Sequence, residues 1–387
     1  MTSQFDIEID RRSVPALKVH SAVLGVNGGN LFAGGVADMD FKAPSVVLNA
    51  LQQRLDHGVF GYEAVPNGLM PALIRWYSTR HNWQITQSHI IRAPNILNAL
   101  AIAASIFTGE GDGIIVQPPV FFDFYDILKE NQRSVIYNPL ILEDGRYRMD
   151  FEDLEHKASD PNTKMIYLCN PHNPVGRVWG RDELKTLGDI CAKHGVLVVS
   201  DEIHGDIIYA NHSYTPFASL GSFYADNSIT CLSPAKSFNI ASCCSAFTVI
   251  SNDEYRKAFQ IENSRLTVNK NNAFASVAME AAYLGGETWL DEVLVYLEDN
   301  VNMVRQYLKN LANVRMIEPE GTFLLWLDFR ALGLQPDDLI SFLRRKAKWA
   351  ITPGQSFGPE GAGFVRLNVA CPKARLAAAL VNLKNAL

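Results

Sequence analysis

The chain has 387 residues, of which 48% are hydrophobic and 20% charged, a composition that excludes a disordered or fibrous protein. Its formal net charge of −6 argues against a general affinity for nucleic acid or anionic membranes, and its length predicts two domains. No run approaches the roughly 20 apolar residues of a spanning helix. The acidic start MTSQFDIEIDRR lacks the apolar core of a signal peptide, so we expect a cytoplasmic protein.

The cysteines and histidines show no pattern of a disulfide framework or a metal site. The six cysteines contain no C-x-x-C pair, and the nine histidines contain no H-E-x-x-H or comparable spacing. In a chain of this length such cysteines are typical of reduced, mostly buried thiols, and we expect no bound metal.

Strand-like and helix-like segments alternate between about residues 45 and 280. Short apolar runs, typical of strands covered on both faces, fall at 114–117, 134–137, 165–169, 196–200, 228–232 and 245–250. Helical patterns lie between several of them, for example 182–194, which stops at Gly195. Another helical pattern, 92–107, lies upstream of these runs and begins with Pro94-Asn95. The alternation predicts an α/β fold, with a mostly parallel sheet and helices on both faces.

The C-terminal part follows a different order. A long helical pattern at 287–312 precedes a strand at 321–329, a helix at 336–348, a strand at 363–369 and a final helix rich in Ala and Leu. This order predicts a smaller α+β domain. We therefore expect a large domain of residues 46–280 and a small domain that joins residues 1–45 to residues 281–387.

Three polar segments each follow a predicted strand of the large domain. They are NPHNP (170–174), DEIH (201–204) and SPAK (233–236). Each has an ordinary alternative explanation, namely a tight turn, a helix N-cap and a solvated lysine. Because the carboxyl ends of parallel strands meet at one edge of a sheet, we expect Asn173, Asp201 and Lys236 to share a site.

This set of groups suits pyridoxal phosphate. Its Schiff base needs a lysine amine, its ring nitrogen needs a carboxylate, and its phosphate needs hydroxyls and helix N-terminal amides. The helix predicted at 92–107 would supply amides around Asn95, Ile96 and Leu97, although a plain buried helix would also explain its composition.

Seven segments resemble one known family across nearly the whole chain. They are VADMDF (36–41), FGYEAVPNG (60–68), NPHNPVG (170–176), SDEIHGDI (200–207), SPAKSFNIA (233–241), EGTFLLWLDF (320–329) and FVRLNVACP (364–372). The sequence resembles the fold-type I pyridoxal-phosphate enzymes of the aminotransferase class I/II superfamily, and within it the cystathionine β-lyase (C–S lyase) branch. The resemblance implies β-elimination on S-substituted cysteines, such as the conversion of cystathionine to homocysteine, pyruvate and ammonia.

The resemblance also implies roles for single residues around the cofactor. Lys236 would hold pyridoxal phosphate covalently, and Asp201 would pair with its ring nitrogen. Asn173 would hydrogen-bond the 3-oxygen of the ring, with His204 close behind. Ser233 would bind the phosphate, together with the amides of Asn95, Ile96 and Leu97.

Further roles concern the substrate and a second subunit. Tyr62 would reach the phosphate of a neighbouring subunit, which implies a homodimer with shared active sites, and Phe121 would stack on the cofactor ring. Arg366 would clamp the substrate carboxylate, and Asp38 and Tyr62 would contact the substrate. In 364–369 the valines and the leucine share one strand face, so Arg366 lies on the other face. The alternative to a carboxylate-binding arginine at this position is an arginine that faces solvent.

Three departures from the family pattern bear on substrate preference. The chain has Pro94-Asn95 in place of Pro-Gly, Ala241-Ser242-Cys243 in place of Ala-Gly-Leu, and Phe121 in place of a tyrosine.

Two other functions stay open. One is an aminotransferase, for which Arg265 is the nearest candidate as a second carboxylate-binding arginine, and the other is a regulatory protein that binds a transcription factor.

Overall fold

A computed structural model describes residues 3–25 and 28–387. Its strands are β1 (Phe32–Ala33), β2 (Ile90–Ala93), β3 (Gly113–Val116), β4 (Ser134–Tyr137), β5 (Ile141–Glu143), β6 (Arg146–Arg148), β7 (Thr163–Cys169), β8 (Leu197–Asp201), β9 (Ser228–Leu232), β10 (Ala246–Val249), β11 (Arg315–Met316), β12 (Leu324–Asp328), β13 (Trp349–Ala350), β14 (Thr352–Pro353) and β15 (Phe364–Asn368). Its α-helices are α1 (Ser21–Leu24), α2 (Ser45–His57), α3 (Leu69–His81), α4 (Ile96–Phe107), α5 (Asp123–Glu130), α6 (Phe151–Ala158), α7 (Arg181–His194), α8 (Ser222–Asp226), α9 (Asp253–Arg265), α10 (Ala273–Gly285), α11 (Glu287–Leu308), α12 (Pro336–Arg345) and α13 (Lys373–Ala386).

The central sheet has seven strands in the order β2-β10-β9-β8-β7-β3-β4. Strand β10 runs antiparallel to both of its neighbours, and the pairs from β9 to β4 are parallel. Alternate residues of one strand enter different cores, as Ile114 and Ile115 of β3 do. The core on one face includes residues of α4 and α9, and the core on the other includes residues of α6 and α7. The predicted α/β fold with helices on both faces is therefore confirmed.

Strand β4 differs from the prediction that all of these strands are covered. It lies at the edge of the sheet, and its first and last residues, Ser134 and Tyr137, are exposed. The short apolar run does not distinguish an edge strand from a central one, because both contain β-branched residues. Helix α7 ends as predicted, since Gly195 takes up the left-handed conformation with φ 68° that favours glycine.

A second sheet, antiparallel and in the order β11-β12-β15-β14, lies in the C-terminal part. The N-terminal residues join this part, because β1 pairs in parallel with β13 and the ring of Phe5 packs against Trp289. The long helix α11 ends at Leu308, four residues earlier than the pattern 287–312 indicates. We propose that the two sheets mark the two predicted domains, 46–280 and 1–45 with 281–387.

A buried ion cluster holds the segment 36–41 in place. Lys18 and Arg11 both contact the carboxylates of Asp38 and Asp40, with Nζ of Lys18 3.1 Å from Oδ1 of Asp40. The cluster ties the N-terminal segment to residues that border the cavity described below. Within residues 3–25 and 28–387, none of the helices combines the length and the apolar character that crossing a bilayer requires.

Candidate active site

The carboxyl ends of three parallel strands form the floor of a cavity. Cys169 of β7, Asp201 of β8 and Cys231 of β9 lie side by side in register. The loops that follow contribute to one cavity of about 480 Å³. Of the residues predicted for the site, the cavity wall contains Asn95, Ile96, Leu97, Phe121, Asn173, Asp201, His204, Ser233 and Lys236. The structure thus brings together the three polar segments, as the strand order indicates.

Lys236 lies in this wall with its amine enclosed by the protein. Its Nζ donates a hydrogen bond of 2.5 Å to the carbonyl oxygen of Ala37. Burial and the nearby charge of Arg366 lower the pKa of Lys236, and the carboxylates of Asp38 and Asp201 oppose this effect only in part. A lowered pKa favours the neutral amine, the form that acts as nucleophile or base.

Asp201 and His204 are buried beside the lysine. Burial raises the pKa of Asp201 to about 6, although the amide of Ile203 and the charge of Lys236 both favour the carboxylate. Burial, together with the charges of Lys236 and Arg366, lowers the pKa of His204 well below its usual value, so its ring is neutral. Within the described residues, Nδ1 of His204 has no hydrogen-bond partner. His204 lines the cavity, and this buried nitrogen leaves a hydrogen-bonding group unsatisfied beside it.

The start of α4 offers anion-binding groups to the cavity. Asn95 is the N-cap residue, and its side chain accepts a 2.8 Å hydrogen bond from the amide of Asn98. The first-turn amides of Ile96 and Leu97 have no intrahelical acceptor, as at any helix N-terminus. Ser233 lies in the same wall and donates to the carbonyl oxygen of Ser245 at 3.0 Å. Asn95, Ile96 and Leu97 thus all line the cavity, and the side chain of Asn95 also caps the helix.

Arg366 is buried behind Asn173. It has 2% relative exposure and donates to Oδ1 of Asn173 at 3.1 Å and to the carbonyl oxygen of Gly35 at 2.8 Å. Its guanidinium lies over the ring of Phe357, and within the described residues its Nε has no partner. Burial lowers the pKa of Arg366. The alternative of a solvent-facing arginine is therefore wrong, because the segment around Gly35 covers this face of β15.

Four residues considered from the sequence lie outside the cavity wall, and one of them is Arg366, which lies behind Asn173. Tyr62 is fully exposed. The carboxylate of Asp38 pairs with Arg11 and Lys18 instead of lining the cavity. Arg265 is exposed and paired with Glu262 on its own helix, outside the cavity wall of its own protomer.

The cavity residues that were not predicted include two with polar side chains beside the predicted ones. Asp123, the first residue of α5, and Cys244 both line the wall, and Sγ of Cys244 lies 3.6 Å from the hydroxyl of Ser233. Asp123 lies beyond the carboxyl end of β3 and two residues after Phe121, so the same strand-end rule would have identified it. Burial raises the pKa of Cys244 to about 11, which keeps its thiol neutral.

Comparison with known proteins agrees with this geometry. Residues 31–383 match the aminotransferase class I and II family, and the chain belongs to that family. It is 44% identical over 353 residues to cystathionine β-lyase PatB of Bacillus subtilis (strain 168), an alignment that covers 91% of each chain. The predicted family is therefore confirmed.

Two solved structures with pyridoxal phosphate are similar over nearly the full length. Cystalysin from Treponema denticola, which contains a pyridoxal 5'-phosphate cofactor, is 33% identical with a TM-score of 0.94, covering 100% of this chain and 99% of that chain. The pyridoxal-phosphate-bound C–S lyase from Staphylococcus hominis is 32% identical with a TM-score of 0.91, covering 99% and 98%. The predicted cofactor and lyase activity agree with these relatives.

Proposed function

We propose that this chain is a pyridoxal-phosphate-dependent carbon–sulfur lyase. It removes the sulfur substituent from Cβ of S-substituted cysteines, and with cystathionine and water it yields homocysteine, pyruvate and ammonia. The observation that carries the proposal is the shared cavity, in which the amine of Lys236 and the buried carboxylate of Asp201 follow neighbouring parallel strands.

The residues of the cavity fit pyridoxal phosphate. Ser233 and the first-turn amides of α4 suit its phosphate, and Asp201 suits its protonated ring nitrogen. Asn173 and His204 have polar groups for the ring oxygen, and Nδ1 of His204 is free within the described chain. When bound, the coenzyme supplies an electron-accepting ring that stabilises negative charge at the substrate Cα.

The remaining chemistry belongs to side chains of this protein. Arg366 binds the substrate carboxylate through its planar guanidinium, which fixes the orientation of the Cα–H bond. Lys236, whose lowered pKa favours the neutral amine, takes the proton from Cα. The thiolate then leaves from Cβ, and hydrolysis of the three-carbon remainder gives pyruvate and ammonia.

The test is release of pyruvate from cystathionine without any keto acid. We expect pyruvate and free thiol in equal amounts, and Lys236→Ala should abolish both. Lys193→Ala serves as the control, because Lys193 is exposed and paired with Glu155 on the surface. Strict dependence on a keto-acid acceptor would replace the lyase with an aminotransferase.

We also propose that the protein forms a homodimer with shared active sites. We propose that this dimer is located in the cytoplasm. Tyr62 is fully exposed, and the apolar side chains of Val59 and Phe60 beside it are more than half exposed. An exposed group of large apolar side chains favours a protein interface, and a second copy would bring Tyr62 to its neighbour's coenzyme. The free thiols of the chain, such as buried Cys169 and Cys231, are typical of a reducing compartment.

A further inference from the structure

Two carboxylates line the cavity, and they differ in their partners. Asp201 accepts a hydrogen bond from the amide of Ile203, whereas Asp123 has neither a side-chain hydrogen bond nor an ion pair within residues 3–25 and 28–387. Asp123 is partly buried, and burial penalises a charge that has no partner. An unpaired carboxylate in the wall of a substrate cavity therefore points to a ligand that supplies the missing charge.

The charges that act on Asp123 belong to the substrate side of the cavity. Burial and the neighbouring Asp126 raise the pKa of Asp123, and the positive charges of Arg366 and Lys236 counteract them. These are the two groups to which we assign the substrate carboxylate and the proton of Cα. Asp123 therefore lies in the same cavity wall as Lys236, close enough to Lys236 and Arg366 for their charges to act on it.

We propose that Asp123 binds a positively charged group at the far end of the sulfur substituent. This inference, which rests on the proposed lyase function, names the preferred substrates as S-substituted cysteines with an ammonium group beyond the sulfur. Cystathionine has such an ammonium group on its homocysteine half, next to a second carboxylate, so S-aminoethyl-L-cysteine is the simplest member of this class. A neutral substituent cannot form an ion pair with Asp123, and an anionic substituent is repelled by the Asp123 carboxylate.

Asp123 also has a structural role as the first residue of α5. An acidic side chain in the first turn of a helix interacts favourably with the helix dipole. That role affects the stability of the protein but not its preference among substrates. The test must therefore compare ligands that differ only in their distal charge.

The first measurement is pyruvate release from S-aminoethyl-, S-propyl- and S-carboxymethyl-L-cysteine. We expect Asp123→Asn to lower kcat/KM about tenfold or more for the cationic substrate and less than about twofold for the S-propyl substrate. Asp126→Asn is the matched control, because Asp126 is exposed on the same helix and lies outside the cavity wall. An equal loss on all three substrates, or no loss on any, overturns the role of Asp123.

The second measurement separates this inference from the proposed function. L-Lysine, L-norleucine and L-aminoadipate have no leaving group at Cβ, so calorimetry with the coenzyme-loaded protein gives their dissociation constants without turnover. We expect the wild-type protein to bind L-lysine about tenfold more tightly than L-norleucine, and Asp123→Asn to lose this advantage. Charge preference without pyruvate release would overturn the lyase and support Asp123, whereas pyruvate release without charge preference would overturn Asp123 alone.

Discussion

The role proposed for Arg366 is to recognise a carboxylate by its shape as well as its charge. Two of its nitrogens are engaged by Asn173 and Gly35, which fixes the plane of the guanidinium next to the cavity. Lysine carries the same charge but cannot form two parallel hydrogen bonds. We expect Arg366→Lys to raise KM for cystathionine by on the order of 10- to 100-fold with a smaller change in kcat.

Steady-state kinetics of pyruvate release would measure this difference. Arg330→Lys is the control, since Arg330 is exposed and pairs with Asp328 away from the cavity. An unchanged KM in Arg366→Lys would show that the substrate carboxylate binds elsewhere.

The buried carboxyl group of Asp201 should destabilise the coenzyme-free fold when it is charged. Burial raises the pKa of Asp201 to about 6 in the folded chain, from an ordinary value of 3.8. A raised carboxyl pKa means that stability is greatest below the ordinary value and falls as the pH rises through about 6. Asp201→Asn should therefore make the coenzyme-free protein more stable at pH 8, by roughly 1–3 kcal/mol, with little difference below pH 4.

Urea unfolding of the two coenzyme-free proteins at both pH values checks this expectation. The same variant should bind pyridoxal phosphate more weakly, because an amide does not hold the ring nitrogen in its protonated form. If Asp201→Asn were less stable than the wild-type protein at pH 8, the buried charge of Asp201 would not destabilise the coenzyme-free fold.

At the scale of elements, Asp206 connects α3 to the loop that carries the lysine. Its carboxylate accepts hydrogen bonds from Nε1 of Trp76 at 2.9 Å and from the hydroxyl of Ser237, next to Lys236, at 2.6 Å, and it contacts Nε2 of His81 at 2.7 Å. Although burial alone would raise the pKa of Asp206, these contacts lower it. A lowered pKa means that the group stabilises the fold above its ordinary value and loses this effect as the pH falls through the folded value.

Removal of the Asp206 carboxylate should weaken the packing of α3 against the loop that carries Lys236. We expect Asp206→Ala to cost about 3 kcal/mol of unfolding free energy between pH 5 and 8, with a smaller difference in acid below pH 4. Denaturant unfolding measures the change. Asp291→Ala, at an exposed carboxylate that contacts Arg80, should change stability by less than about 0.5 kcal/mol, and an equal effect of both variants would refute the connection.

The sequence predicts features that depend on neighbours along the chain. The end of α7 at Gly195 follows from glycine's left-handed backbone, and the meeting of Asn173, Asp201 and Lys236 follows from parallel strand ends. Contacts between distant segments are not encoded in this way. The pairing of Asp38 with Arg11 depends on how the N-terminal segment packs in the folded chain, which no periodicity or spacing shows.

At the scale of the whole molecule, the exposed position of Tyr62 suggests that one protomer does not complete its own site. Tyr62 lies next to other exposed apolar residues, among them Leu55, Val59 and Phe60, and lines a surface hollow with Arg54. A C2 dimer buries the same patch on both subunits, so each Tyr62 would serve the opposite cavity. In that arrangement, a substitution at Tyr62 and a substitution at Lys236 affect the same site when they are on different chains.

Mixing two inactive variants tests this arrangement. In a hybrid of Lys236→Ala and Tyr62→Ala protomers, one site carries both lesions and the other carries neither. After unfolding and refolding an equimolar mixture, about half of the dimers are hybrids, so we expect about a quarter of the wild-type pyruvate release. The two variants refolded separately provide the baseline, and Lys236→Ala refolded with Lys236→Ala,Tyr62→Ala protomers is the control that contains no intact site. Activity in the mixture equal to the mean of the separate variants would show that Tyr62 acts within its own protomer or not at all.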